Sequence, residues 1–485
     1  MMFDRKKSIN LCRSCLLGSD VCAFLLAYLA GGLLFYLVRE ETLARLGLNF
    51  FTLMKAWSIY YLLIIPFALV RFWYVGHYTR RKPFWDELKD IVQVLGFLFI
   101  VEGTILFLIK SSFSRLWLGS AFVFVLILLP VLRIMVKRSL DAAGKWQIST
   151  VLIGTGQNAV DAISALKSEK LLGFSVQCVL SIDDQTAEKK ETLTVGELEF
   201  PILPMGKDPV ASIRKFGDPN VVFAMESGGI RNHLELIESL QQKFIDIYVV
   251  PALRGLPLYG MEINTFFRHE VLLLRVRNIL ARRMPRLLKR SFDIAGSLML
   301  IVMLSPLLAV LFWKVRSDGG NALYAHKRVG RNGQKFDCLK FRSMVVDAEK
   351  ILADMLEEDD KLRGEWIEDF KLKDDPRVTP IGAFLRRTSL DELPQLWNVL
   401  RGEMSLVGPR PIVAEEMARY GNNIHYYKSV RPGMTGLWQI SGRNDTDYSN
   451  RIYLDAWYVK NWSLWSDIVI MLKTVDVVLS KRGAY

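Results

Sequence analysis

Asp391 and Glu392 stand side by side in the last third of the chain, within Arg386-Arg387-Thr388-Ser389-Leu390-Asp391-Glu392-Leu393-Pro394-Gln395. Neighbouring residues on a helix point about 100° apart, so both carboxylates can border one cleft without packing on each other. Two carboxylates among several arginines offer a Mg²⁺ ligand set, a base or a nucleophile. They are also types that the dipole favours at a helix N-terminus, and spacing alone leaves that reading open. Arg386, Arg387 and Arg410 are candidate phosphate ligands, because a guanidinium fork matches two phosphate oxygens. Gly408-Pro409-Arg410-Pro411 stiffens the backbone around Arg410, and Arg431-Pro432-Gly433 repeats the device before Ser441-Gly442-Arg443-Asn444. Carboxylates and arginines without a Walker-type loop suggest a diphosphate substrate handled outside the P-loop scheme. No zinc spacing and no Ser-His-Asp order is present.

The elements that must position these residues begin in a membrane. The 485-residue chain is 51% apolar and carries a net charge of +13. That charge alone fits nucleic acid, an anionic membrane surface or phosphorylated substrates; the apolar runs favour the membrane and exclude nucleic acid. Leu16–Leu37, Phe50–Val70, Ile91–Ile109 and Leu116–Val136 are each near the 20 residues a spanning helix needs. The first is too long, and lacks the small-residue site, for a cleaved signal peptide. Asp20 and Glu102 fall inside these runs and are read as packing partners in a bundle. Arg5, Lys6, Lys7, Arg71, Arg80, Arg81, Lys82, Lys137 and Arg138 lie on one side, which places both ends of the bundle in the cytoplasm. Of five cysteines, Cys12 and Cys15 form a C-x-x-C that opens an apolar helix and reads as filling.

From about Ile148 the pattern is that of a soluble α/β domain. Strands are expected at Thr150–Ile153, Phe174–Leu180, Val221–Met225 and Ile245–Val250. Gly154-x-Gly156 follows the first strand, where a turn can lift N–H groups toward a phosphate. The signal is degenerate, since Asp183 and Asp184 come late for a dinucleotide site, so a regulatory or structural role is expected. Phe292–Trp313 is long enough to be a fifth span. Basic residues flank both of its ends, and Ser305-Pro306 interrupts it. Charge and proline leave open a re-entrant helix and a kinked transmembrane one.

Thr388–Gln395, Met404–Pro411, Arg431–Gly436 and Ser441–Asn444, with Phe292–Trp313 upstream, resemble the bacterial polyprenyl-phosphate sugar-phosphate transferases, the monotopic-core phosphoglycosyl transferases. The leading spans and the α/β domain resemble the long form. The resemblance implies three parts: a four-helix transmembrane bundle (1–140), a Rossmann-like α/β cytosolic domain (146–273), and a mainly α-helical monotopic catalytic domain (284–485) with a re-entrant helix at about 291–314. It implies Asp391 as nucleophile and Glu392 with Asp391 as Mg²⁺ ligands. Arg386, Arg410, Arg431 and Arg443 would bind phosphate or substrate, and Ser305 and Pro306 would break the helix.

The implied reaction moves galactose-1-phosphate from UDP-galactose to undecaprenyl phosphate through a covalent aspartyl-phosphosugar, releasing UMP, to begin surface polysaccharide (O-antigen or capsule) synthesis. Glucose or an N-acetylhexosamine is the alternative sugar, and an inactive scaffold the alternative class. A multi-pass protein of the bacterial inner membrane, working as a homodimer with its catalytic part in the cytoplasm, completes the expectation. Leu464–Leu479 is expected to add an interfacial face, and Trp457, Trp462 and Trp465 to sit at headgroup level. Ser343, in Phe341-Arg342-Ser343-Met344, stands where many relatives have threonine and keeps the hydroxyl.

Overall fold

The computed structural model describes residues 2–45, 50–108, 114–182, 191–226, 233–244, 246–253, 255–256, 261–266, 269–275, 279–317, 319–358, 375–441 and 447–479. The chain divides into two compact units, Met1–Arg254 and Gly255–Tyr485.

The first unit opens with four long helices: α1 (Met2–Arg45), α2 (Phe50–Val75), α3 (Phe84–Leu108) and α4 (Arg115–Ala142). Within α1, Lys7–Arg39 is long and apolar enough to cross a membrane, as are α3 and α4; the apolar stretch described in α2 is Tyr61–Val75. Bulky apolar side chains point outward along them, among them Phe67, Val70, Phe97, Ile100 and Phe107. Inside, α1 packs on α4, where the buried Trp117 donates Nε1–H to Tyr28 O at 3.0 Å. Asp20 accepts from Arg133 through Nε at 2.7 Å and Nη2 at 2.6 Å, and also from the Tyr78 hydroxyl. Asp20 is thus a packing partner, as expected of an intramembrane charge facing the bundle. Glu102 is buried as well.

An α/β domain follows: β1 (Ile148–Ile153), α5 (Gln157–Ser168), β2 (Phe174–Ser181), β3 (Thr192–Val195), β4 (Leu198–Pro204), α6 (Pro209–Arg214), β5 (Asn220–Phe223), α7 (Leu234–Gln241) and β6 (Ile247–Val249). The strands lie in the order β3-β4-β2-β1-β5-β6, with β3 antiparallel to β4 and the other pairs parallel. Val151, Leu152 and Ile153 are fully buried, which explains a continuous apolar run rather than an alternating one. The order reverses direction at β1, the switch point where such sheets bind ligands. The β3–β4 hairpin had no sequence signal strong enough to be read.

The second unit begins with a hairpin, β7 (Glu262–Phe266) and β8 (His269–Arg275), then α8 (Arg283–Arg316). The 34 residues of α8 would extend roughly 50 Å if straight. Ser305-Pro306 does not interrupt the helical run. Proline lacks the N–H that would meet Val302 O, and Ser305 Oγ donates to that carbonyl instead at 2.8 Å. The middle of α8 exposes Met299, Val302, Met303 and Val310. Both ends are held by this same unit. Near the start, Lys289 Nζ donates to Val407 O at 3.0 Å and to Asp467 at 2.8 Å, while Asp293 accepts from Ser405 Oγ and Leu406 N. Near the end, Leu311 and Val315 pack with Ala322, Phe341 and Leu385.

Beyond α8 come β9 (Leu323–Val329), β10 (Lys335–Phe341), α9 (Ala348–Glu358), α10 (Pro380–Thr388), α11 (Gln395–Arg401), β11 (Ser405–Val407), α12 (Ile424–Ser429), β12 (Gly433–Thr435), α13 (Leu437–Ile440), α14 (Tyr448–Lys460) and α15 (Leu464–Leu479). The unit is mainly helical, with an antiparallel β9–β10 pair and a short parallel β11–β12 pair. Two expectations about its last helices change. Trp462 is not at headgroup level but in the core, donating Nε1–H to Asp467 at 3.0 Å. Asp467, on the helix expected to present an interfacial face, is fully buried, and also accepts from the Tyr458 hydroxyl at 2.7 Å. The apolar face of α15 survives as the exposed Leu472, Val475 and Val478.

Candidate active site

Asp391 and Glu392 sit on a one-turn 3₁₀ helix, Leu390–Glu392, between α10 and α11. Ser389, at φ +55°, makes the left-handed turn that ends α10 and aims the pair back toward β10. The pair is therefore not the first turn of an α-helix. Lys340, near the end of β10, bridges both carboxylates: its Nζ lies 2.8 Å from Glu392 Oε1 and 3.4 Å from Asp391 Oδ2. Asp391 is 9% exposed. Burial raises its pKa above the ordinary carboxylate range and Glu392 adds to this, against the pull of Lys340 and Arg386. Burial works to lower Lys340, but the two carboxylates outweigh it and the ammonium is held charged.

The position of Lys340 is set by Asn398 on α11. This fully buried amide accepts from Leu339 N at 3.0 Å and donates to Asp337 O at 2.8 Å, so it reads the strand like another strand edge. Its amide also donates to Glu403 at 2.7 Å.

Arg386 donates Nε–H to Ser343 Oγ at 2.9 Å, which leaves the two Nη groups to face outward. The Ser343 segment lies against α10 at Gly382, where an added Cβ would come within 1.9 Å of Ser343 O. No residue but glycine fits that approach. Arg410 stacks on Trp438 at 5.4 Å and raises the positive potential at Lys340. Among the described residues its guanidinium has no hydrogen-bond partner, so its fork is available to an anion. On α14, Arg451 also stacks on Trp438, at 5.1 Å. Asp455 accepts from the Tyr420 hydroxyl at 2.8 Å, and burial pushes its carboxyl up to about 7 against Tyr420, Arg451 and Arg410.

The structure thus brings together Asp391, Glu392 and Arg386, with Arg410 within electrostatic reach of Lys340. It gives Arg431 other company: Nε donates to Gly402 O at 2.6 Å, beside Arg290, which donates to Val399 O and Leu400 O. These two arginines neutralise the carbonyl end of α11. Arg443 lies outside the described residues. Sequence reasoning missed Lys340 and Asn398, because both act through contacts far apart in the chain.

Gly154 and Gly156 do close a turn after β1. Gly154 has φ +124° and its Cβ would strike Ala224 O, while Glu226 Oε1 accepts from Asn158 N at 2.8 Å at the start of α5. A carboxylate of the chain itself thus takes the N–H that a phosphate would use. The turn is built as the spacing suggested, and is already occupied.

Residues 284–481 match the family described as "Bacterial sugar transferase". Over most of its length the chain is 46% identical to an undecaprenyl-phosphate galactose phosphotransferase of Salmonella typhimurium, covering 85% of this chain and 86% of that one. The chain belongs to the bacterial sugar transferases. A UDP-galactose-lipid carrier transferase of Erwinia amylovora is 45% identical, over 85% of this chain and 86% of its own length. An exopolysaccharide production protein of Rhizobium meliloti is 48% identical over 41% of this chain, and that match takes in 88% of it. In this sugar transferase, residues 74–251 match a family described as "CoA-binding domain".

Proposed function

We propose that this sugar transferase moves galactose-1-phosphate from UDP-galactose to undecaprenyl phosphate in the bacterial inner membrane, as the first membrane step of a surface polysaccharide. The observation that carries the reading is the buried Asp391, held beside Lys340 and within electrostatic reach of Arg386, with Arg410 in turn within reach of Lys340. The resemblance of the whole chain to relatives named for galactose favours that sugar over glucose.

The Asp391 carboxylate attacks the β-phosphorus of the nucleotide sugar. A bond forms from its oxygen to phosphorus, the bridging P–O bond breaks, and its electron pair leaves with UMP. The sugar phosphate is then an acyl phosphate on Asp391. An oxygen of undecaprenyl phosphate attacks the same phosphorus, the bond to Asp391 breaks, and the carboxylate is restored. A carboxylate is a weak nucleophile in water, so the site must hold it in line against a phosphorus whose charge is offset. Arg386 and Arg410 bind the phosphoryl oxygens, and Lys340 keeps Asp391 ionised. Two carboxylates beside a diphosphate suit Mg²⁺, which usually takes one or two carboxylates plus substrate phosphates, and here Lys340 marks the place where they hold a cation. Glu392 and Asp391 would be its ligands, and bound Mg²⁺ would supply charge neutralisation to the leaving UMP.

The acceptor is a lipid and the donor is soluble, so the site belongs at the membrane surface. Attachment of both ends of α8 to one unit supports a helix that bends at Pro306, enters a single leaflet and returns, with the unit in the cytoplasm. The test is mass spectrometry of the full chain incubated with UDP-galactose and no acceptor. A hexose-phosphate adduct on Asp391 is expected; labelling from UDP-glucose but not UDP-galactose would overturn the sugar, and no adduct with either would overturn the mechanism.

A further inference from the structure

In the first unit, the loop 76–83 between α2 and α3 meets the end of α4 and the start of the α/β domain around a small open cleft. Its wall carries Arg80, Arg81, Lys82 and Lys137 against the one carboxylate of Glu87. That carboxylate is already shared between Arg133 and Lys137, and Lys82 is taken by Asp90 at 2.6 Å. Among the described residues no carboxylate pairs with Arg80 or Arg81. Arg81 is fixed in place, its guanidinium 3.3 Å above the Trp146 ring and its Nη2 donating to Trp146 O at 3.1 Å. Among the described residues the buried Nη1 of Arg81 has no hydrogen-bond partner, while Nε2 of His77 on the same wall lies 3.5 Å from Asp90 Oδ2.

A buried guanidinium N–H left unmet is costly, and a fixed guanidinium with Nη1 unmet in a positive cleft fits an oxyanion with several acceptor oxygens. The cleft lies just past the exposed apolar residues Val70, Trp73 and Tyr74 of α2, the level where a helix leaves hydrocarbon for headgroups. We propose that this cleft is a binding site for a phosphate group, with Arg80 and Arg81 as its ligands. The site is separate from the Asp391 centre and uses none of its residues. The phosphate can come from an anionic phospholipid headgroup or from a soluble phosphate, and both present the same oxygens to the same fork.

The test uses the full chain in a neutral detergent, read by its thermal midpoint. It is titrated with inorganic phosphate against chloride at equal ionic strength, and separately with dihexanoyl phosphatidylglycerol against dihexanoyl phosphatidylcholine. At least one phosphate probe is expected to raise the midpoint, and the R80Q/R81Q double variant to need about tenfold more of it. A response to the phosphatidylglycerol alone assigns a lipid headgroup, and a response to inorganic phosphate assigns a soluble source. If the double variant does not fold without the Trp146 stack, R80Q alone leaves that stack intact and is expected to weaken the response. No response to either probe, or the same response in the variants, would overturn the site.

Discussion

The Ser343 hydroxyl accepts a hydrogen bond from Arg386 Nε at 2.9 Å, and so fixes a guanidinium whose charge is felt at Asp391. Serine in place of threonine keeps this bond, since the hydroxyl is what Arg386 uses. Ser343→Ala should raise KM for the nucleotide sugar about fivefold, the worth of one hydrogen bond that orients a charge. Ser343→Thr should restore it. Steady-state transfer assays on the two variants check this, and an unchanged KM in the alanine variant would show that Arg386 is oriented by other means.

The proposed mechanism needs Asp391 ionised, and burial raises its pKa above the ordinary value. The rate of adduct formation should therefore fall as pH drops through that raised value, at a higher pH than a free aspartate would give. Lys340 opposes the rise, so Lys340→Met should move the acid limb further up and slow adduct formation about a hundredfold. Asp391→Asn should form no adduct at any pH. A pH–rate profile with the same acid limb in wild type and Lys340→Met would sink this role for the lysine.

Asn398→Ala removes both bonds that tie β10 to α11 and leaves Leu339 N and Asp337 O without their partner. The loss should be about 2–4 kcal/mol of stability. Because Lys340 is the next residue of that strand, the activity remaining in the folded fraction should also fall. Thermal unfolding and activity per folded molecule, measured on the same sample, separate the two effects.

Asp455 has a folded pKa of about 7 against an ordinary value near 3.9. Between these values the folded state holds a proton that the unfolded chain releases, so stability decreases as pH rises from about 4 to about 7 and is level above. Asp455→Asn keeps a neutral partner for Tyr420 and should flatten that slope. Thermal midpoints across this pH range give the answer.

Much of this was legible in the residues. Apolar length disclosed the membrane helices, Gly154-x-Gly156 disclosed the first turn of the α/β domain, and Asp391-Glu392 among arginines disclosed the candidate centre. What stayed hidden depends on contacts distant in sequence. Lys340 reaches the carboxylates from a strand some fifty residues away, and nothing local marks a lysine for that. Arg431 looked like a ligand because Pro-Gly stiffens its neighbourhood, yet that stiffness serves the carbonyl end of α11. Trp462 and Asp467 read as an amphipathic pattern, whereas Lys289 of α8 converts them into a buried polar joint.

That joint has a consequence for how the molecule is put together. With α8 pinned at its start by Lys289 and at its end by Leu311 and Val315, the second unit holds a helix long and apolar enough to enter a bilayer. The attachments of that helix at both ends come from the second unit's own residues. The leading two hundred and fifty-four residues can then be exchanged or dropped without disturbing how that helix is tied to the portion from Gly255 onward.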